Sequence, residues 1–220
     1  MYWKEEIDEQ QFAVPDTVVD LMFQIDCPTL PVDHAWELSR EIQRILHWFG
    51  EDPNDGLHII HGADSGNGWE RPQASDDLLY LSRRVKLILR LPRERVAQAQ
   101  KLSGEILQPG NHRMAIGKSK LRKLGMTNFL YSRYIAGPQS AASDDEFIGW
   151  AVAALNTLGV SFKKVLCGKS CRLSTPEESL ETRSLLVANL SFQDAVKLQQ
   201  SGIGPHRSMG CGLFLPQKSF

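Results

Sequence analysis

The chain has 220 residues, 42% of them hydrophobic, with 25 basic and 26 acidic side chains and a net charge of −1. That balance excludes a disordered, collagen-like or coiled-coil polypeptide and fits one large or two small globular domains. No apolar run approaches the roughly 20 residues a membrane-spanning helix needs, and the acidic opening MYWKEEIDEQQ lacks the basic, then apolar, pattern of a secretory signal, so a cytoplasmic protein without membrane contact is expected.

Taken in chain order, residues 1–16 read as an acidic leader. Val19, Leu21, Phe23 and Ile25 alternate with Asp20, Gln24 and Asp26, which predicts a strand over Thr17–Asp26 with one buried face. Ala35, Leu38, Ile42, Ile45, Leu46 and Phe49 recur at intervals of three and four and predict an amphipathic helix over Asp33–Phe49. A short strand, Leu57–His61, follows, and Asp64–Asp77 is polar enough to be a loop. Leu78–Leu91 reads as one long strand with Arg84, Lys86 and Arg90 on its polar side. Arg93–Ser103 reads as a helix stopped by Gly104, and His112–Ile116 as a weak strand.

The pattern then restarts. Phe129–Ile135 is a predicted strand. Ser143 and Glu146 form a capping box for a helix through Leu158. Strands are predicted at Val160–Leu166 and Arg183–Leu190, a helix from Ser191 to Gln200, and a last strand at Leu213–Pro216. Each half therefore reads β-α-β-β-α-β, an α+β fold of tandem ferredoxin-like units. The expected domains are residues 17–117 and 128–220, joined through the basic stretch Gly117–Asn128; a single α+β domain is the alternative.

The small net charge conceals a strong asymmetry. Residues 1–80 hold 4 basic and 17 acidic side chains, whereas residues 83–133 hold 13 basic and 2 acidic. A net of +11 in about fifty residues is hard to disperse and points to a polyanionic partner, nucleic acid. Lys118, Lys120, Arg122 and Lys123, followed by Tyr131, Arg133 and Tyr134, interleave cations with aromatic rings, a pattern suited to phosphates and unstacked bases.

Three further features could carry chemistry. The turn Gly202–Gly212 (GIGPHRSMGCG) has glycines at 202, 204, 210 and 212 with His206 and Arg207 between them, a composition that lets backbone amides approach phosphate. It follows a helix and precedes a strand, the wrong order for a dinucleotide fingerprint, and neither Gly-Lys-Ser run (117–119, 168–170) has the earlier glycine of a Walker loop. LPVDHAW (residues 30–36) sets His34 in the first turn of the first helix, where a bound phosphate would favour its protonated form. His58 and His61 differ by an odd number and would point to opposite strand faces, which argues against a metal pair. The four cysteines, at 27, 167, 171 and 211, form no CxxC pair and read as free thiols; no metal or other cofactor is expected.

The paired units, the C-terminal glycine turn and the helix-start histidine together resemble the CRISPR-associated repeat-processing endoribonucleases, the Cas-six family of the RAMP superfamily, and most nearly the subtype named after myxobacterial systems. The resemblance rests on VDLMFQID, LPVDHAWEL, LRLPRERV, KLSGEIL, FLYSRYI and GIGPHRSMGCGLFLP, which span residues 18 to 216. It implies a metal-independent endoribonuclease that cuts CRISPR precursor RNA within each repeat. The ribose 2′-hydroxyl attacks the adjoining phosphate, leaving a cyclic (or 3′) phosphate and a 5′-hydroxyl. It also implies that the protein stays on the 3′ stem-loop of the mature guide and joins other effector-complex subunits. His34 matches the family's helix-start histidine and is the expected general acid or base, with His47 and His58 as alternatives. Gly202, Gly204, His206, Arg207, Gly210 and Gly212 would hold the RNA backbone. Some relatives carry a tyrosine three residues before the histidine, where this chain has Pro31; the second catalytic group stays open among Tyr131, Lys118 and Ser39. A non-catalytic guide-binding subunit of the same fold is the competing expectation.

Overall fold

The computed structural model describes residues 12–62, 77–138, 141 and 143–217. Most of the expected acidic leader, and all of the predicted loop 64–77 except Asp77, lie outside the described residues.

In the first half, strand β1 (Val18–Asp26) turns Val19, Leu21 and Phe23 into a core, as its alternation predicts. It pairs antiparallel with β5 (Lys86–Pro92) on one side and β7 (Met114–Arg122) on the other. Two short strands, β3 (Gly56–Leu57) and β6 (Ile106–Leu107), close the edges in the order β3-β5-β1-β7-β6. Helix α1 (Ala35–Ile45) covers one face, assisted by α2 (Val96–Ala99), which 3-10 turns extend to Arg93 and Leu102. Leu38, Ile42 and Leu46 meet Leu87, Leu89 and Phe23 in this core.

In the second half, β8 (Phe129–Ala136), β9 (Lys164–Ser174), β10 (Ser179–Ala188) and β11 (Leu215–Pro216) form a sheet in the order β11-β8-β10-β9. Helices α3 (Asp144–Thr157) and α4 (Phe192–Ser201) cover one face, with Phe147, Ala151, Leu155, Ala195 and Leu198 against Leu185 and Val187. The Ser143–Glu146 capping box is present in both directions. Leaving β6 aside, both sheets have the ferredoxin-like strand permutation, so the tandem βαββαβ architecture holds.

Local departures have local causes. Helix α1 stops at Ile45 instead of Phe49. Gln43 Nε2 donates to the Phe49 carbonyl, and the Asp55 carboxylate accepts the amides of Gly50 and Asp52, so residues 46–55 satisfy their backbone groups off the helix. The predicted strand 78–91 is two strands. Leu78–Tyr80, β4, pairs with β2 (Thr29–Pro31), a turn follows at 82–85, and only then does β5 begin. Strand β7 runs to Arg122 rather than Ile116, so half of the basic stretch expected as a connection is sheet. Strands β9 and β10 are likewise longer than predicted, because Thr175 Oγ1 accepts the amides of Glu177 and Glu178 and closes a tight hairpin between them. Among the described residues, no helix is long and apolar enough to cross a membrane.

The halves meet on a buried charge cluster and an apolar patch. Arg90 is 1% exposed. Its guanidinium donates to Asp20 at 2.9 Å and to the carbonyls of Gln199 (2.9 Å) and Phe214 (3.0 Å) in the other half. Ala35 and Ile59 pack with Tyr134, Leu173, Leu180, Met209 and Cys211.

Candidate functional site

The helix-start histidine is built into the frame. His34 is 0% exposed. Its Nδ1 is 2.7 Å from the Pro31 carbonyl, and its Nε2 accepts the Ile60 amide at 3.2 Å. The Nδ1–H tautomer satisfies both bonds, and the ring clamps the chain entering α1 to the segment that leaves β3. Asp33 beside it accepts the Ser174 amide of β9. In this geometry both ring nitrogens of His34, the expected general acid or base, are engaged by backbone groups of the first half.

His58 is also enclosed. It lies 3.3 Å from Asp20 Oδ1, in the cluster that Arg90 and Arg122 complete. Burial lowers its pKa against the pull of Asp20. Burial alone would raise the Asp20 pKa, but Arg90 and His58 hold it far below the ordinary range. His61 points elsewhere, its ring 5.9 Å from that of Tyr134, in the irregular segment that follows β3, where the sequence predicts a strand to His61. Among the described residues no group of three or more His, Cys, Asp or Glu side chains could hold a metal.

His47 is different. It is exposed in the turn after α1 and lines a cavity of about 650 Å³ with Arg40, Gln43, Arg44 and Gly50. Gly50 has φ +98, and a Cβ there would come within 3.1 Å of Ser208 in the glycine turn. The His47 cavity thus adjoins that turn. Of the other groups weighed for a second catalytic role, Ser39 is buried, Lys118 is exposed on β7, and Tyr131 is half-buried on β8.

The glycine turn reverses its expected orientation. A Cβ at Gly202 would sit 2.2 Å from the Gly212 carbonyl oxygen, and one at Gly212 would sit 2.1 Å from that of Ile203. Both glycines exist for backbone to pass backbone. Gly210 makes the same close approach to Leu57 and Ile59. The amides of Gly202, Gly210 and Gly212 donate to the carbonyls of Leu198, Arg207 and Tyr134, so these three do not cradle an external phosphate.

Arg207 also points inward. It is 8% exposed and donates to the carbonyls of Ser201 (2.7 Å), Gln200 (2.9 Å) and Asn54 (3.4 Å), staples that burial makes necessary and that engage the guanidinium expected to meet RNA. Burial pulls its pKa down to about 10.

The outward part of the turn is Gly204, Pro205 and His206. His206 adopts a left-handed conformation (φ 65) and is exposed. It separates two cavities. One, about 630 Å³, is lined by Asp52, Asp55 and Thr157; the other, about 540 Å³, by Arg172, Thr182 and Arg183.

The cations divide in the same way. Lys118, Lys120 and Arg122 alternate along β7 on the sheet face opposite α1, where Lys120 lies beside Met22, and Lys86 lies beside Gln24 on β5. Lys123 is exposed just beyond. Arg122 donates to Asp20 at 2.8 Å and is partly neutralised there. Arg133 projects from β8, half-buried.

The family model described as Cas6 Crispr matches residues 19–219. The chain belongs to the Cas6 family. A curated relative, the CRISPR-associated endonuclease Cas6 of Myxococcus xanthus (strain DK1622), is 29% identical over 198 residues, covering 90% of this chain and 81% of the relative. Similar solved structures include a CRISPR-associated protein Cas6 (TM-score 0.65, 11% identity, 91% of this chain and 100% of that one) and a Cas6-related protein from Pyrococcus furiosus (TM-score 0.62, 13% identity, 90% and 97%). A third, described as a RAMP protein binding different RNA substrates, has a TM-score of 0.56 at 14% identity, covering 91% and 98%. At such identities the structures establish the Cas6 fold and nothing finer.

For this Cas6 chain the sequence missed the buried Asp20–Arg90–His58 cluster, with exposed Arg122 at its edge, and the inward role of Arg207. Asp20 and Arg90 lie opposite each other on β1 and β5, but each reads in the sequence as an ordinary polar position on a half-buried strand. No local signal marks an arginine whose partners come from more than a hundred residues away.

Proposed function

We propose that this Cas6 protein is a cytoplasmic, metal-independent endoribonuclease that cuts CRISPR precursor RNA within the repeat and remains on the 3′ stem-loop of the mature guide, in company with other effector subunits. The 2′-hydroxyl beside the scissile bond attacks the phosphate. A proton leaves that hydroxyl and another reaches the departing 5′-oxygen, transfers suited to a residue type whose ordinary pKa lies near ambient pH. We assign proton transfer to His47. The single observation that carries this choice is exposure: His34 and His58 are enclosed, while His47 opens on a cavity that touches the glycine turn. Arg40, on the same cavity wall, is suited to stabilise charge on the phosphate. Lys118, Lys120 and Lys123 supply the non-specific grip.

The test is cleavage of a hairpin repeat RNA in EDTA. Wild type cuts, a 2′-deoxy substitution at the cut site abolishes cutting, and His47→Ala lowers the single-turnover rate by roughly 10²–10⁴-fold with little change in binding. His34→Ala lowers the melting temperature instead. A full rate in His47→Ala, with cutting lost in a folded His34→Ala, would return the role to His34. Tight binding without cleavage by wild type would make the protein a guide-holding subunit.

A further inference from the structure

The second-sheet face turned away from α3 and α4 packs against the first half at Leu173 and Leu180, and its other end, where Leu186 is 7% exposed, does not look like a solvated face. Antiparallel sheets with one face in water carry polar side chains there. Here one row across all four strands is apolar: Leu215 on β11, Tyr131 on β8, Leu186 on β10 and Leu166 on β9, each directly opposite the next. These side chains lie opposite Leu185, Val187 and Leu130, which face the helices. Leu166 is 44% exposed and Leu215 38%, and Tyr131 is half-buried between Leu215 and Leu186. The neighbouring row is Phe129, Ala188 and Lys164, with Ala188 buried between ring and lysine. Phe129 and Tyr131 are half-buried rings on one central strand, about 7 Å apart, a spacing at which each ring could meet its own base.

The rim of this face is cationic. Lys164 is exposed at one side, and Arg133 follows Tyr131 along β8. None of the face positions on the four strands named here is acidic. The surface is also continuous with the basic connection from β7. A Cβ at Gly125 would lie 2.9 Å from Pro216, so exposed Lys123 and Met126 border the Leu215 end of the row.

We propose that this face is a stacking platform for unpaired nucleotides of single-stranded RNA, with Phe129 and Tyr131 as the stacking rings, Leu166 and Leu186 as apolar floor, and Lys164 and Arg133 on the phosphates. The proposal rests on the RNA-processing function above and adds a second contact, separate from the His47 cavity. Apolar rows alone would suit a protein partner equally. The two rings on one strand and the all-cationic rim select nucleic acid, because stacking tolerates any base and the charges match its backbone.

The test uses fluorescence anisotropy of the full chain with labelled octauridine, which forms no hairpin. Tyr131→Ala weakens binding roughly tenfold, while Tyr131→Phe, which keeps the ring, stays within about twofold of wild type. Lys164→Ala flattens the dependence of log affinity on log salt by about 0.7, and Tyr131→Ala leaves that slope unchanged. Should Tyr131→Ala fold poorly, Leu166→Ser on the exposed edge strand carries the test, with a smaller loss in the same direction. Wild-type affinity in both Tyr131→Ala and Leu166→Ser overturns the platform even if the wild type still cuts repeat RNA in EDTA. It does so also if the same variants lose a protein partner instead. A wild type that binds neither octauridine nor repeat RNA removes the platform and the RNA-processing reading together.

Discussion

Asp55 and Asp20 are two buried carboxyls with opposite consequences. Asp55 is 1% exposed and ties the turn after α1 through the amides of Gly50 and Asp52. Burial pushes its pKa up to about 6, above the ordinary value near 3.9. The folded state therefore takes up a proton more readily than the unfolded chain, and this group adds stability as pH falls from about 7 toward 4. Asp20, held far below its ordinary range by Arg90 and His58, stabilises the ionised fold above about pH 4 and loses that contribution as pH falls further. Asp55→Asn keeps an acceptor for both amides without the charge. We expect it to raise stability at pH 7.5 by on the order of 2 kcal/mol and to abolish the gain on acidification in urea unfolding at several pH values. Parallel profiles for the two proteins would show that Asp55 is solvated in solution.

At the scale of elements, strand β7 carries the grip on RNA proposed above. A β-bulge opposite Phe23–Ile25 switches its faces, so Lys118 and Lys120 lie opposite α1 although Ile116 and Met114, two and four residues earlier, enter the core. A strand spaces such cations at regular intervals of about 7 Å, which a flexible linker could not do. Lys118, Lys120 and Lys123 replaced together by alanine should reduce the log–log salt slope of repeat-RNA binding by about 2, without changing the cut position. Arg122 is left in place because its bond to Asp20 belongs to the fold. An unaltered slope would mean that these lysines never meet phosphate. Element boundaries were partly legible beforehand. The Ser143–Glu146 box and the Ser191 cap fix α3 and α4 through their own side chains. The end of α1 and the break at residues 82–85 depend instead on Asp55 and Pro28, partners that periodicity does not register.

At the scale of the molecule, the halves are fastened by polar groups that belong to neither core. Arg90 joins β1 to the end of α4 and to Phe214, Arg207 staples the glycine turn to itself and to Asn54, and Asp33, beside His34, accepts the Ser174 amide of β9. Removing one member of such a cluster leaves the others buried and uncompensated. Arg90→Ala should cost about 3–5 kcal/mol in denaturant unfolding, and adding Asp20→Asn should recover part of it. A loss below about 1 kcal/mol would show that water enters the cluster once the arginine is gone.

The sequence by itself determined the α+β class, the doubled βαββαβ order, the buried face of β1, the basic segment and the resemblance to the repeat-processing family. Each of these is written in periodicity, capping or composition, which act over a few residues. Tertiary structure alone decided which histidine meets solvent, which way Arg207 points and why the glycines are needed. Those outcomes depend on what the other half of the chain places against them. A histidine at a helix start or an arginine in a glycine turn has the same local signature whether it faces a phosphate or a buried carbonyl. Only the packing of the two halves, which removes water from one side and leaves it on the other, separates the two cases.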